Sequence, residues 1–407
     1  MKFHRIILKS FIFFFLYIST VSNSYAAMVT YNQSATVETT IDAQISGIHF
    51  NKEGTKMFTA YMKRIAADNS ITQRYIREYN LSTPFDISTR VYAGDSERCH
   101  LTDGNTVSGG LIAANNNYFI HDLEFSHDGL KLIVVQSYFT NFSSGDKIHV
   151  MDLTSPYDVS TCTYNNSNTS LDFSGYTHGS QAGDNSSAER KYHRLRGVEI
   201  NDDGTKLFLL WGDNYNALQK NAESRSDGVG DITARVLEYN LSTPYDMSTL
   251  SIVTTAGIPL PDTLSGANDP RGMRFSSDGK RIFLIGHSNY GSSNSVPGIS
   301  QVTLDKAFDT SSYTLDGGIN LSTLSTSNDQ PNGISFSESG SKLYIGDDND
   351  TGTDQIMEYD LACPFNIFAG KCPSITNKDR IGIAEAQITI AKRTIDHSTD
   401  SVLNRLQ

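Results

Sequence analysis

Apolar and polar positions alternate along this chain in short runs broken by glycine, and one such run keeps returning. It reads GIHFNKEGTKMF from Gly47, DLEFSHDGLKLI from Asp122, GVEINDDGTKLF from Gly197, GMRFSSDGKRIF from Gly272 and GISFSESGSKLY from Gly333. The turn glycines Gly54, Gly129, Gly204, Gly279 and Gly340 fall 75, 75, 75 and 61 residues apart. A period of two on both sides of a glycine turn predicts a β-hairpin with one face buried. A second phrase follows each copy: EYNLSTPFDIST from Glu78, MDLTSPYDVST from Met151, EYNLSTPYDMST from Glu238, VTLDKAFDTSS from Val302 and EYDLACPFNIF from Glu358. Here a strand ending at leucine enters a Ser/Thr-Pro-aromatic-Asp turn, in which proline sets the backbone, Asp accepts from nearby amides and the aromatic caps the core edge. The fourth copy has Ala307 where the others have proline.

Each repeat therefore supplies an inner hairpin, a third strand and a weaker extended segment such as Thr89 to Gly94 or Thr249 to Thr255. Four antiparallel strands per repeat make one propeller blade, so the fold expected is all-β, a β-propeller of five four-stranded blades. The repeats exceed the common propeller length of roughly 40–45 residues, and the excess is polar loop, as from Gly212 to Ala234. The stretch from Met28 to Thr40 is strand-like and has no hairpin phrase of its own. It is the candidate outer strand of blade five, closing the ring and removing exposed sheet edges. An open array, or a sixth unrecognised blade, is the alternative.

Residues 1–26 have the three-part layout of a secretory signal: Lys2, Arg5 and Lys9, then an apolar run from Phe11, then Ser24-Tyr25-Ala26 with small residues three apart. Cleavage is expected after Ala26, since the apolar run is too short for a spanning helix. Loss of those three positive charges takes the formal charge from -12 to -15, a surface that repels phosphate backbones and argues against nucleic acid. The four cysteines suit an oxidising compartment. Cys363 and Cys372, which enclose PFNIFAGK, are the first choice for a bridge, leaving Cys99 and Cys162 as the second.

The propeller is expected over residues 27–373. Beyond it the composition changes. In 374–407 no aromatic occurs, and Ile381, Ala384, Ile388, Ala391, Ile395, Val402 and Leu406 follow helical spacing, interrupted at Ser398/Thr399. The run IAKRTIDHSTDSVLNRLQ, from Ile390 to Gln407, together with an exported propeller, resembles the passenger-to-linker region of autotransporter-type outer-membrane proteins. The Ser-Thr-Pro-aromatic-Asp repeats separately resemble those of bacterial surface and phage structural proteins. The resemblance implies carriage through the periplasm to the cell surface, with a linker helix leading to a C-terminal barrel. No alternating barrel strands follow Gln407, so the expectation is a fragment of a longer protein whose membrane contact is made by the missing anchor.

Catalytic motifs are scarce: no Gly-x-Ser-x-Gly, His-Glu-x-x-His, phosphate loop or Cys-x-x-Cys occurs. A propeller glycosidase needs two carboxyl groups facing each other across a sugar. Taking the inner strands to open at Ser46-Gly47, His121-Asp122, Arg196-Gly197, Arg271-Gly272 and Asn332-Gly333, only Asp122 is acidic. No cofactor motif is present, and calcium is the one candidate. DDNDTGTDQIME, from Asp347 to Glu358, has calcium-loop spacing, but Glu358 belongs to the repeated strand phrase, so a looser site of Asp347, Asn349 and Asp350 is the form expected. RKYHRLR groups Arg190, Lys191, Arg194 and Arg196 around His193 as a candidate contact for an acidic glycan or lipopolysaccharide phosphate, or as a counterweight to acidic neighbours. Trp211, the sole tryptophan, is a sugar platform if exposed and core if buried. The expectation is an exported binding or adhesion module for a surface glycan or protein, with no catalytic site. The alternative is a secreted propeller-type glycan hydrolase or lectin.

Overall fold

In a computed structural model of the protein, five antiparallel sheets follow one another along the chain. The structure describes residues 28–38, 43–64, 71–101, 118–138, 147–164, 170–172, 193–213, 234–253, 257–260, 269–288, 296–324, 330–348 and 353–368. The leader, the tail from 374 with its expected helix, and Cys372 lie outside these. Blade one is built from Ala43–Phe50, Lys56–Arg64, Ile71–Leu81 and the short Arg90–Tyr92, and blade two from Tyr118–Phe125, Lys131–Tyr138, Lys147–Asp152 and Thr163–Tyr164. Blade three has His193–Ile200, Lys206–Asp213, Arg235–Leu241 and Leu250–Ile252; blade four has Asp269–Phe275, Arg281–Ser288, Val296–Lys306 and Asp309–Asn320. Blade five takes Pro331–Phe336, Lys342–Asp347 and Asp354–Leu361 from the last repeat, and its outer strand is Val29–Glu38 from the start of the chain. The all-β, five-bladed expectation and the closing strand both hold.

The two phrases of the repeat meet each other. Gly54 turns the hairpin at φ +69°, and the amide of Phe85 donates to its carbonyl at 2.9 Å, so that the Phe85 ring lies on the glycine where a β-carbon would overlap it. The same bond, also 2.9 Å, joins Tyr157 to Gly129, Tyr245 to Gly204, Phe308 to Gly279 and Phe365 to Gly340. All five aromatics are themselves left-handed, with φ from 49° to 60°, a strain the glycine seat repays locally. Asp86 then caps the turn by accepting from the Ser88 amide at 3.0 Å, and Asp158 and Asp246 repeat the cap.

Blades are joined by apolar packing and by a recurrent clasp. Phe58 of blade one packs on Phe125 of blade two at 4.7 Å between ring centroids, as Phe208 does on Phe275 at 4.6 Å and Phe283 on Phe336 at 4.6 Å. The Lys206 ammonium binds Glu238 of its own blade and the Phe308 carbonyl of the next, both at 2.6 Å, while Glu238 accepts from the Thr310 amide at 2.8 Å. Lys56 does likewise with Glu78 at 2.7 Å and the Tyr157 carbonyl at 2.9 Å. At the closure, Glu358 accepts from Lys342, from Asn32 at 2.8 Å and Gln33 at 2.9 Å in the closing strand, and from the Ile87 amide of blade one at 3.4 Å. Glu358 is thus a clasp residue rather than the last ligand of a calcium loop. A disulfide between Cys99 and Cys162, the pair placed second from sequence, staples blade one to blade two.

Candidate functional site

Every inner strand carries a β-bulge at the glycine column: register with the second strand slips between Ser46 and Ile48, Ile120 and Asp122, Leu195 and Gly197, Pro270 and Gly272, and Pro331 and Ile334. An extra residue re-aims the side chains that follow it. The ring brought to the axis is accordingly His49, Glu124, Glu199, Arg274 and Ser335, not the positions where strict alternation from the strand start would put it. Asp122 stands in the glycine column itself. Its carboxylate accepts from the Leu123 amide at 2.9 Å and, across the blade boundary, from Val198 at 3.2 Å.

Arg274 occupies the centre of this ring. From blade four its guanidinium reaches Glu124 of blade two, Glu199 of blade three at 2.9 Å, the Ile48 carbonyl of blade one at 3.1 Å and the Ile334 carbonyl of blade five at 3.3 Å. The planar five-donor head suits such branching, which a lysine could not reproduce. Nδ1 of His49 lies 3.3 Å from the same guanidinium and 3.5 Å from Glu124. It accepts from arginine when neutral and donates to Glu124 when Nδ1 is protonated.

The environment pushes the carboxyl groups apart. Burial raises Glu124, and the charges of His49 and Arg274 outweigh it, holding the group below the ordinary carboxylate range. Burial raises Glu199 well above that range against the pull of Arg274, with Glu124 and Asp122 adding repulsion. Burial lifts Asp122 to about 7, although Arg274 and its two amide donors act the other way. The two neighbouring carboxyl groups, Glu124 and Glu199, are therefore pushed in opposite directions, the division of labour that acid–base chemistry requires.

His49, Glu124, Glu199 and Arg274 line a cavity of about 220 Å³ on the hairpin face, and Asp122 lies outside its lining. Its lining interleaves aromatic rings, Phe125, Phe275 and Phe336 from the inner strands and Tyr157, Phe308 and Phe365 from the turns, with polar residues such as Lys52, Asn201, Asp202 and Glu338. Glu124 and Glu199 are each 8 % exposed, so what accessible surface they keep is directed into it. The long polar loops of the repeats fall largely outside the described residues.

A second polar network lies near the starts of the inner strands. Asp269 binds Arg271 at 2.9 Å and Arg196 at 3.2 Å, and Arg196 stands 3.3 Å from Nδ1 of His121. With Nδ1 accepting from arginine, the other ring nitrogen carries the proton and donates to Ser137, 2.6 Å away. That tautomer is the wrong one for activating a serine. Burial lowers His287, near this network, to about 4, the Arg271 charge adding to the effect.

The sequence candidates are dispersed. Arg196 is 6 % exposed and committed to Asp269, so it offers no surface to an acidic glycan. Arg190 and Lys191 lie outside the described residues, and so do the side chains of His193 and Arg194. Trp211 is 3 % exposed in the core between blades two and three, which excludes a sugar platform. Asp347 is buried at a strand end and accepts from the Gln330 amide at 2.8 Å, while Asn349 and Asp350 lie outside the described residues. Among the described residues no group of three or more His, Cys, Asp or Glu side chains is arranged to hold a metal ion.

No protein-family model matches the chain, and no curated protein does. Among solved structures it is similar to the β-propeller domain of a Myceliophteria thermophila protein, at 10 % identity and TM-score 0.37, over 82 % of this chain and 100 % of that one. It is also similar to a GH43 β-xylosidase/α-arabinofuranosidase from a compost microbial metagenome, at 14 % identity and TM-score 0.47, over 82 % of this chain and 96 % of that one. A GH43_1 enzyme from Xanthomonas citri complexed with xylotriose gives 12 % identity and TM-score 0.46, over 81 % and 90 %. At these identities the likeness is one of fold. The expectation of an adhesion module without a catalytic site is corrected by the site itself: the paired carboxyl groups that the sequence reading did not find, Glu124 and Glu199, stand together at the Arg274 guanidinium.

Proposed function

We propose that the protein hydrolyses glycosidic bonds at the cavity of the hairpin face, with Glu199 as general acid and Glu124 as its ionised partner. The observation that carries this reading is that Glu124 and Glu199 share one guanidinium nitrogen of Arg274 at the floor of a single cavity, with their carboxyl groups shifted in opposite directions. The two carboxyl groups thus stand close enough together to act on one bond, one as nucleophile and one as acid. Glu124 then attacks the anomeric carbon while Glu199 gives its proton to the leaving oxygen. Water, deprotonated by Glu199, next releases the sugar from Glu124 and restores both groups.

Aromatic rings interleaved with hydrogen-bonding side chains suit a sugar ring. The signal-like layout of residues 1–26 supports export, and the resemblance of the tail to an autotransporter linker supports carriage at the outer membrane, where glycans are accessible. The direct test is release of nitrophenol from a panel of p-nitrophenyl pentosides and hexosides. Glu199→Gln and Glu124→Gln are each expected to lower kcat by about 10²–10⁴ while leaving the far-UV spectrum unchanged. Turnover that survives both substitutions would contradict the assignment.

A further inference from the structure

We infer that Asn80 and Asn240 are acceptors for N-linked glycan, whether or not the axial site is hydrolytic. Both stand in the phrase EYNLST, identical in repeats one and three, which contains the Asn-x-Ser acceptor pattern as Asn80-Leu81-Ser82 and Asn240-Leu241-Ser242. Leu81 and Leu241 are buried, whereas both asparagines and both serines are exposed. Among the described residues neither carboxamide makes a hydrogen bond. The fold does not call for asparagine at this place. Repeats two and five have Asp152 and Asp360 there, which face Lys131 at 2.7 Å and Lys342 at 3.5 Å. In repeats one and three the matching Lys56 and Lys206 bind Glu78 and Glu238 instead, at 2.7 and 2.6 Å, and leave the asparagine to solvent.

The surroundings give an independent reason. Val91, in the outer strand Arg90–Tyr92, lies directly opposite Asn80 and is 66 % exposed. Val253 is 45 % exposed and stands two residues past Ser251, the partner of Asn240 in the outer strand Leu250–Ile252. They are two of the four large hydrophobic side chains exposed among the described residues, and both sit at an open sheet edge. A hydrated sugar chain rooted beside each valine covers it and keeps the edge from pairing with another chain. Two further described asparagines carry the pattern but are engaged. Asn32, before Gln33-Ser34, donates its carboxamide nitrogen to Glu358 at 2.8 Å in the ring closure, and Asn320, before Leu321-Ser322, caps a turn by accepting from the Ser322 amide at 2.8 Å.

In the transfer the carboxamide nitrogen attacks the anomeric carbon of a glycan carried on a lipid diphosphate. The carbon–nitrogen bond forms, the bond from that carbon to the diphosphate oxygen breaks, and the nitrogen gives up one proton as the lipid diphosphate departs. Export, supported by the leader-like residues 1–26, brings the chain to such a donor. The test is tandem mass spectrometry of peptides from the full protein isolated from its own cells, beside variants expressed there. Sugar mass is expected on the Asn80 and Asn240 peptides and absent from the Asn32 peptide. Ser82→Ala and Ser242→Ala are each expected to lose the sugar from the preceding asparagine, and Ser82→Thr to keep it. A bare Asn80 or Asn240 in the wild type overturns the assignment at that position. Sugar that persists after either alanine substitution, or is lost in Ser82→Thr, overturns the acceptor pattern, and sugar on Asn32 overturns the argument from exposure.

Discussion

Nη2 of Arg274, in blade four, donates to the carbonyl of Ile48, in blade one, at 3.1 Å. The bond spans blades that are not neighbours in the ring, and with its companions it makes a buried arginine the common partner of every blade. Replacing it by methionine removes the only cation certain to be charged near Glu124, Glu199 and Asp122. Arg274→Met is expected to destabilise the fold by about 3–5 kcal/mol, as for a buried ion pair deprived of one partner. Urea unfolding checks this; a cost under about 1 kcal/mol would mean the carboxyl groups simply take up protons.

Asp122 gives stability a definite pH dependence. Its native carboxyl holds a proton up to about 7, while the unfolded chain releases it near the ordinary 3.8. The contribution is complete below about pH 4 and is lost as pH rises through 7, on the order of 4 kcal/mol in all. Glu199, also raised, acts in the same direction, whereas Glu124, lowered, stabilises above its ordinary value and ceases to do so on acidification. Denaturant midpoints measured between pH 4 and 7 should flatten in Asp122→Asn. An unchanged slope would assign the dependence to other groups.

Gly54→Ala tests the seat of the aromatic turn. The new methyl meets both a left-handed backbone and the Phe85 ring, and a loss of about 2 kcal/mol or more is expected. Gly54→Ala combined with Phe85→Ala should recover part of it, since the ring clash disappears and only the backbone term stays.

Removing the Cys99–Cys162 bridge by double serine substitution opens a loop of 63 residues. The chain-entropy estimate is about 4 kcal/mol, near the upper end of the usual 2–4. Urea unfolding of wild type and double variant, both without reductant, checks this, since reductant would also open the bridge at Cys363.

The blades were legible because their signals are local. Period-two alternation around Gly54 or Gly204, and a proline before Phe85 or Tyr245, dictate hairpin and turn wherever they occur. The axis was not, because the reading inspected only the residues that open each inner strand, and an extra residue there, at Gly47, His121, Arg196, Arg271 and Asn332–Gly333, re-aims the side chains that follow. A signal was nevertheless present. When the five repeats are aligned, the second position past the Gly47, Asp122, Gly197, Gly272 and Gly333 column reads His49, Glu124, Glu199, Arg274 and Ser335, four ionisable side chains and a serine flanked on both sides by apolar residues. Trp211 shows the converse: one residue of a rare type drew attention, yet its pairing with Leu195 inside blade three makes it ordinary core.

The closing strand also sets the order in which this molecule can be assembled. Asn32 and Glu358, bonded at 2.8 Å, are 326 residues apart. A ribosome delivers the first of them early, and it waits as an unpaired strand until the fifth repeat has emerged. Until then four blades have their own outer strands, and the growing array has no means of becoming a ring. Contacts of such long separation slow folding, and the interval leaves both partners as bare edges open to strand pairing with other chains. Emergence of the third strand of blade five, Asp354–Leu361, is thus also the first moment at which the axis, and the cavity built on it, exist.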